Sequence, residues 1–181
     1  TFGMLKIPAF YTVHVLSHKQ KTNSFKRYLL KHAEFFSCQH ADKIFCVSPG
    51  EYEYLKIHFK KTGSIVYIGP HVADRFFQPV SDKNNRISLG IDEKTFVVGT
   101  VARLVPQKTI HQLILACADV PVQLMIVGDG PLRSSLEQLA QQTMRRPAIF
   151  VGEQQHVEEF LSICDAFALS TDWEAGLPLS S

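Results

Sequence analysis

The sequence alternates short apolar runs with segments of helical periodicity, and this alternation constrains the fold more than any other feature. The apolar runs are rich in β-branched and aromatic residues and carry few charges. Strands of that kind lie in parallel sheets that helices cover on both faces. The pattern therefore predicts an α/β fold with parallel sheets. The predicted strands are residues 7–13, 43–48, 64–68, 95–101, 122–127, 148–151 and 166–170.

The alternation lapses once, which divides the chain into two blocks. Residues 78–94 are polar and rich in turn residues, as interdomain linkers are. A chain of 181 residues is long enough for two pieces of about 90–100 residues each. We expect one domain over residues 1–80, a linker over 81–94 and a second domain over 95–181.

Composition excludes several classes of protein. Lys and Arg number 19 against 17 Asp and Glu, so the formal net charge of +2 gives no argument for nucleic-acid binding. With 45% hydrophobic residues the chain is neither disordered nor collagen-like. No run approaches the ~20 apolar residues of a membrane span. The first residue is not Met, and we expect a start that has been lost or trimmed.

The cysteines and histidines do not form a recognisable metal site. No two cysteines have the Cys-x-x-Cys spacing, and Cys46, Cys117 and Cys164 lie among apolar neighbours, as small core residues do. His14 and His18 have no carboxylate or thiol nearby in the sequence. We therefore expect no metal and no cofactor, and a reducing, cytoplasmic compartment.

The first helical segment is amphipathic, with lysines and arginines crowded into residues 19–31. Two interpretations fit it. The segment binds an anionic membrane surface, as a peripheral contact through residues 19–31. Alternatively, the cations form a solvated face opposite a core stripe. The apolar residues at helical spacing are Phe25, Tyr28, Leu29, Ala33 and Phe36.

In open parallel sheets, ligands bind beyond the carboxyl ends of the strands, so the candidate functional residues are those that follow the predicted strands. Arg103 and Lys108 follow the 95–101 strand, five positions apart and beside a predicted helix start. Such a pair either holds an anion, for example a diphosphate, or consists of two ordinary solvated cations.

The 122–127 strand is followed by Gly128-Asp129-Gly130. A dinucleotide-binding fingerprint needs a third glycine at position 133, which is Arg133, so we exclude NAD binding here. The remaining interpretations are a tight strand–helix turn and a backbone that approaches a ligand, and both can hold together.

Two further residues have a functional and a structural interpretation. Glu174 lies in a loop with Gly176 and Pro178, where a carboxylate either holds sugar hydroxyls and phosphate oxygens or is a surface acid. His14 ends the first predicted strand, although a single histidine is more often a satisfied structural group.

Taken together, the order and spacing of these segments resemble the retaining nucleotide-sugar glycosyltransferases of family four, which have the GT-B fold. The resemblance is nearly continuous over residues 95–181, and residues 1–76 resemble the end of that family's acceptor domain. It is carried by residues 98–108, 124–133, 136–140, 150–152, 164–170 and 174–178, and by 12–14 and 41–48.

The resemblance implies two Rossmann-like parallel-sheet domains facing a cleft, both incomplete in this chain. Residues 1–80 would be the C-terminal part of the acceptor-side domain, and 95–181 the nucleotide-sugar donor domain. It implies that Arg103 and Lys108 hold the donor diphosphate, that Glu174 is the first Glu of the family's Glu–seven residues–Glu motif, and that His14 faces the cleft. The implied donor contacts are Gly99, Thr100, Gly128, Asp129, Gly130, Val151, Gly176, Leu177 and Pro178.

The sequence departs from the family pattern in several places. Thr109 follows the diphosphate lysine and Val15 follows His14, where the family often has glycine. The second Glu of the motif would fall beyond Ser181. We therefore expect a chain cut at both ends that does not turn over by itself.

The implied function is transfer of a sugar, with retention, from a nucleoside diphosphate sugar to a saccharide or lipid-linked acceptor. Cell-surface polysaccharide or glycolipid biosynthesis is the expected setting. The alternative is a truncated, non-catalytic fragment that keeps the fold. A GT-B-shaped sugar-nucleotide epimerase would need hydrolytic or acid–base residues that the sequence does not offer.

Overall fold

The computed structural model describes residues 8–13, 16, 23–59, 64–69, 72–77 and 83–172. These residues fall into two compact units, one made of the described residues up to 69 and the other of those from 72 to 172. Each unit is built from parallel strands connected by helices. The predicted α/β class with parallel sheets is confirmed.

The first unit is a parallel sheet of three strands in the order β1-β2-β3, with two helices. The second helix begins after the N-cap Ser48, whose Oγ accepts a hydrogen bond from the N–H of Glu51 at 3.3 Å. The elements are β1 Phe10–Val13, α1 Ser24–His40, β2 Lys43–Cys46, α2 Pro49–His58 and β3 Ile65–Tyr67. The core consists of Val13, Leu16, Cys38, Ala41, Ile44, Cys46, Leu55 and Ile65.

The apolar stripe of α1, which one interpretation placed in a core, lies on the exposed side of the helix. Cys38 is the buried residue of α1, and Leu30 and Glu34, on the same row of the helix, are half-buried. Periodicity identifies an apolar row of the helix, but it does not show which row faces the core. In α1 the row that ends at Cys38 faces it. The exposed apolar residues are Phe25, Tyr28, Leu29 and Phe36, each more than half exposed. None of the described helices is long and apolar enough to cross a membrane.

The second unit contains a parallel sheet of four strands in the order β6-β5-β4-β7. The central strand β5 is buried over its whole length. Helices α4 and α5 contribute to the core on one face, whereas Ile91 and Ile163 pack with Val97 on the other. The elements are α3 Lys83–Ser88, β4 Val97–Val101, α4 Ile110–Cys117, β5 Gln123–Val127, α5 Arg133–Thr143, β6 Ile149–Gly152, α6 Val157–Leu161 and β7 Ala166–Phe167.

Residues 83–94, which were expected to form most of a linker, are part of the second unit. They include α3 and the buried side chain of Ile91. Arg86 attaches this segment to the sheet, and its side chain is only 12% exposed. A polar, turn-rich composition identifies a surface segment, but it does not show that one arginine ties the segment to a sheet.

Arg86 joins α3 to the amino-terminal side of two strands. Its Nη2 donates to the carbonyl oxygen of Ile163 at 2.7 Å and to Oδ2 of Asp165 at 3.1 Å. Its Nη1 donates to the carbonyl of Thr95 at 3.1 Å. Oδ2 of Asp165 also accepts from the N–H of Val97 at 2.7 Å. This backbone bond and the guanidinium hold the pKa of Asp165 below its usual value.

We predict that Arg86→Met lowers the free energy of unfolding by about 2–3 kcal/mol, because it leaves the Ile163 carbonyl and the Asp165 carboxylate without their charged donor. Chemical denaturation measures the change. The matched control is Arg145→Met, because Arg145 is 79% exposed and lies 3.5 Å from Asp119. The free energy of unfolding of Arg145→Met should fall by less than about 0.5 kcal/mol. Equal losses in the two variants would contradict the structural role of Arg86.

Candidate functional site

A hollow of about 500 Å³ opens in the second unit where β4, β5 and β6 end. This is the carboxyl edge of the sheet, where ligands of open α/β sheets bind. The residues that line it are Val101, Ala102, Arg103, Val127, Gly128, Asp129, Gly130, Glu153, Gln154 and Val157. Of the residues predicted to act at the site, the hollow brings together Arg103, Gly128, Asp129 and Gly130.

Two glycines allow the ends of β4 and β5 to touch. A side chain at Gly128 would collide with the carbonyl oxygen of Ala102. A Cβ at Gly130 would lie 2.6 Å from the carbonyl oxygen of Leu104, well inside van der Waals contact. Only glycine fits at these two positions. The tight strand–helix turn predicted here is present, and its glycines are needed for backbone packing.

The N–H groups of the same turn are already engaged within the protein. The N–H of Gly128 donates to the carbonyl of Gly152 at 2.7 Å. The N–H of Gly130 donates to Oδ1 of Asp129 at 2.6 Å. These two donors are therefore not directed at the hollow, and Arg103 is the cationic side chain of its lining.

Arg103 is held at the hollow by its neighbours in the chain. The N–H of Ala102 donates to the carbonyl of Val127 at 3.0 Å, and that of Leu104 donates to the carbonyl of Asp129 at 2.9 Å. Leu104 is fully buried. With the backbone fixed on both sides, the exposed Arg103 side chain projects from a rigid segment.

Lys108 does not line the hollow but ends the short 3-10 turn Pro106–Lys108 that follows Arg103. That turn is fastened to the segment after β7. The hydroxyl of Ser170 donates to the carbonyl of Lys108 at 3.0 Å. The hydroxyl of Thr171 and the N–H of Asp172 donate to the carbonyl of Gln107 at 3.2 and 3.0 Å. β7 ends at Phe167, three residues before the predicted Ser170.

Thr109, which separates this turn from α4, has a left-handed backbone. Its φ is 42° and its ψ is 36°, and its side chain is buried. A β-branched residue is disfavoured in this region, and glycine is preferred. The 3-10 turn ends before this residue, and α4, the helix predicted to follow Pro106, begins at Ile110.

Asp129 lies between the hollow and an arginine on α5. Its Oδ2 accepts from Nη1 of Arg133 at 2.9 Å, while Nε of Arg133 donates to Oε1 of Glu137 at 2.8 Å. The N–H of Gly130 and the Arg133 guanidinium hold the pKa of Asp129 below its usual value. Asp129 is therefore a carboxylate at neutral pH.

Three other predicted donor residues are packed into the sheet. A Cβ at Gly99 would collide with Sγ of Cys164. Thr100 is fully buried, and its Oγ1 has no hydrogen-bond partner among the described residues. Val151 packs beside a core cluster. None of the three lines the hollow.

Several predicted site residues lie outside the described residues: His14, Glu174, Gly176, Leu177 and Pro178. Conversely, Glu153 and Gln154 line the hollow but were not predicted as site residues. Their position directly after β6 was the available signal. Within the part of the chain that the structure describes, no group of three or more His, Cys, Asp or Glu residues is arranged to hold a metal ion.

The sequence matches the family model of Glycosyl transferases group 1 over residues 81–180, more than half of the chain. A curated relative is the lipopolysaccharide core biosynthesis glycosyltransferase LpsD of Rhizobium meliloti (strain 1021). It is 37% identical over 91 residues, which are 49% of this chain and 26% of LpsD. The match thus spans about a quarter of that relative.

Solved structures resemble the chain over almost its whole length. Anabaena HepE in complex with UDP and glucose has a TM-score of 0.77 at 19% identity, covering 93% of this chain and 47% of HepE. Sucrose-phosphate synthase from Thermosynechococcus elongatus has a TM-score of 0.76 at 24% identity, covering 95% and 46%. At these identities the likeness shows the fold, and the chain spans about half of either neighbour.

We predict that Thr109→Gly raises the free energy of unfolding by about 0.5–1 kcal/mol. The left-handed backbone costs a β-branched residue on the order of 1–3 kcal/mol, and glycine avoids this cost. Part of the gain is lost again, because the substitution removes a buried side chain. The matched control is Thr143→Gly at the end of α5, which should lower stability by about 0.3 kcal/mol. Thermal and chemical denaturation of both variants measure whether each substitution raises or lowers stability. A loss of stability in Thr109→Gly would contradict backbone strain at this residue.

Proposed function

Because the chain belongs to the group 1 glycosyl transferases, we propose that it transfers a sugar, with retention, from a nucleoside diphosphate sugar to a saccharide or lipid-linked acceptor. The observation that carries the proposal is Arg103, fixed on a rigid segment at a hollow on the carboxyl edge of the second sheet. The kinship with LpsD supports cell-surface polysaccharide or glycolipid biosynthesis as the setting.

In this proposal Arg103 and Lys108 bind the donor diphosphate. Negative charge builds up on the departing nucleoside diphosphate as its bond to the sugar breaks, and preplaced cations stabilise that charge. Support comes from the bonds that fasten residues 107–108 to residues 170–172, immediately before the loop that contains Glu174. Glu174 would contact the donor, and His14 would act from the acceptor side, with residues 1–80 belonging to the acceptor domain.

UDP-glucose is the first donor to test, since the HepE neighbour was solved with UDP and glucose. We predict that Arg103→Gln lowers turnover of the matching donor by about 100-fold, the usual effect of losing one preplaced group that stabilises developing charge. Its free energy of unfolding should change by less than about 0.5 kcal/mol, because the side chain is exposed.

Turnover should be measured in the longest natural chain that contains these residues. Arg145→Gln is the control, because it removes the same charge from an exposed position outside the hollow. Loss of stability without loss of turnover in Arg103→Gln would contradict the assignment.

We further propose that α1 makes a peripheral contact with an anionic membrane. The exposed stripe described above combines aromatic and aliphatic side chains with Lys26, Arg27 and Lys31 on the same helix. Apolar side chains at a headgroup boundary, together with cations that attract anionic lipid, are what such contacts require. The protein would then meet a lipid-linked acceptor at the membrane surface, where that acceptor lies.

We predict that Phe25→Ser combined with Phe36→Ser lowers binding to phosphatidylglycerol vesicles by tenfold or more, because each exposed phenyl ring contributes about 1.5–3 kcal/mol when buried. Co-sedimentation measures binding, and phosphatidylcholine vesicles test the need for anionic lipid. Phe77→Ser, at a position 74% exposed outside α1, is the control. Equal binding of all variants, or none by the wild type, would contradict the contact.

A further inference from the structure

Two carboxylates line the hollow that is proposed to take a diphosphate. Asp129 and Glu153 share this lining with Arg103, so its formal charges sum to less than zero. Repulsion between Asp129 and a phosphate would oppose donor binding unless the carboxylate charge is offset nearby. Arg133 offers that offset. It is not itself part of the lining.

The guanidinium of Arg133 is held in a fixed position by three groups. In addition to its bonds to Asp129 and Glu137, its Nη2 donates to the carbonyl of Phe150 on β6 at 3.4 Å. A planar group with five donors makes contacts in these different directions, whereas a lysine ammonium does not hold the same fork. Arg133 thus connects the Gly128–Gly130 turn to α5 and to the neighbouring strand.

The two oxygens of Asp129 are used differently. Oδ1 accepts the N–H of Gly130 and shapes the turn, whereas Oδ2 pairs with Arg133. The charge of Asp129 and its hydrogen bond to the turn can therefore be separated by mutation. Asparagine retains an oxygen that accepts from Gly130 and removes the negative charge.

We propose that Arg133 is a positioning residue of the donor site, which pairs with Asp129 and offsets its negative charge so that the hollow accepts the diphosphate of a nucleotide sugar. The proposal rests on the function proposed above. It assigns to position 133, where a dinucleotide-binding turn has glycine, an electrostatic role in this chain. A purely structural role would make Arg133 necessary for stability but indifferent to the charge on residue 129.

The test is the affinity for UDP, measured by isothermal titration calorimetry at two salt concentrations. Arg133→Gln should weaken UDP binding by about tenfold, more strongly at low salt, because uncancelled repulsion is screened by ions. Asp129→Asn combined with Arg133→Gln should return the affinity to within about threefold of the wild type, because the repelling charge is gone. Arg145→Gln controls for the loss of one positive charge from the same unit.

Each outcome decides between the alternatives. If the wild type binds UDP and the double variant is as weak as Arg133→Gln or weaker, the charge-cancelling role is wrong and the proposed function stands. The role is also wrong if Arg133→Gln binds UDP as well as the wild type does. If the wild type binds none of UDP, GDP and ADP, the donor-site proposal fails and this one fails with it. Thermal denaturation of each variant identifies any that does not fold.

Discussion

The approach of two backbone segments is the constraint on which the hollow depends. Gly128 and Gly130 have no side chains, so the turn after β5 lies directly against Ala102 and Leu104. Backbone hydrogen bonds then join the two segments. Arg103 lies between Ala102 and Leu104 and inherits their rigidity. A cation on a free loop would lose backbone entropy on binding an anion, and one on this segment loses less of it.

A second set of hydrogen bonds restrains the chain beyond Arg103. The turn that ends at Lys108 accepts hydrogen bonds from residues 170–172, so the segments after β4 and β7 are fixed to each other. Thr109 takes a left-handed backbone directly after that turn. Strained residues of this kind persist where the surrounding structure determines them, and they concentrate at functional sites. The strain therefore lies beside the lysine that the family resemblance assigns to the diphosphate.

The sequence predicted the strands well because burial on both faces leaves a continuous apolar run, of which β5 is the clearest case. It also placed Arg103 and Gly128 directly after two strands, and the hollow lies at the ends of those strands. It did not predict Arg86, because a contact with Ile163 seventy-seven residues away leaves no periodic signal. Nor did periodicity identify which row of α1 packs inward, since an apolar row looks the same whichever way it faces.

The absence of a third glycine at position 133 explains how this site differs from a dinucleotide-binding turn. In that turn, backbone N–H groups and a helix N-terminus meet the phosphates. Here the N–H groups of Gly128 and Gly130 are bonded to Gly152 and Asp129, and the glycines serve close packing. In the proposed donor site, anion binding would then rest on side-chain cations, whose effect requires that nearby carboxylates be offset. An arginine at position 133 satisfies that requirement for Asp129, and a glycine could not.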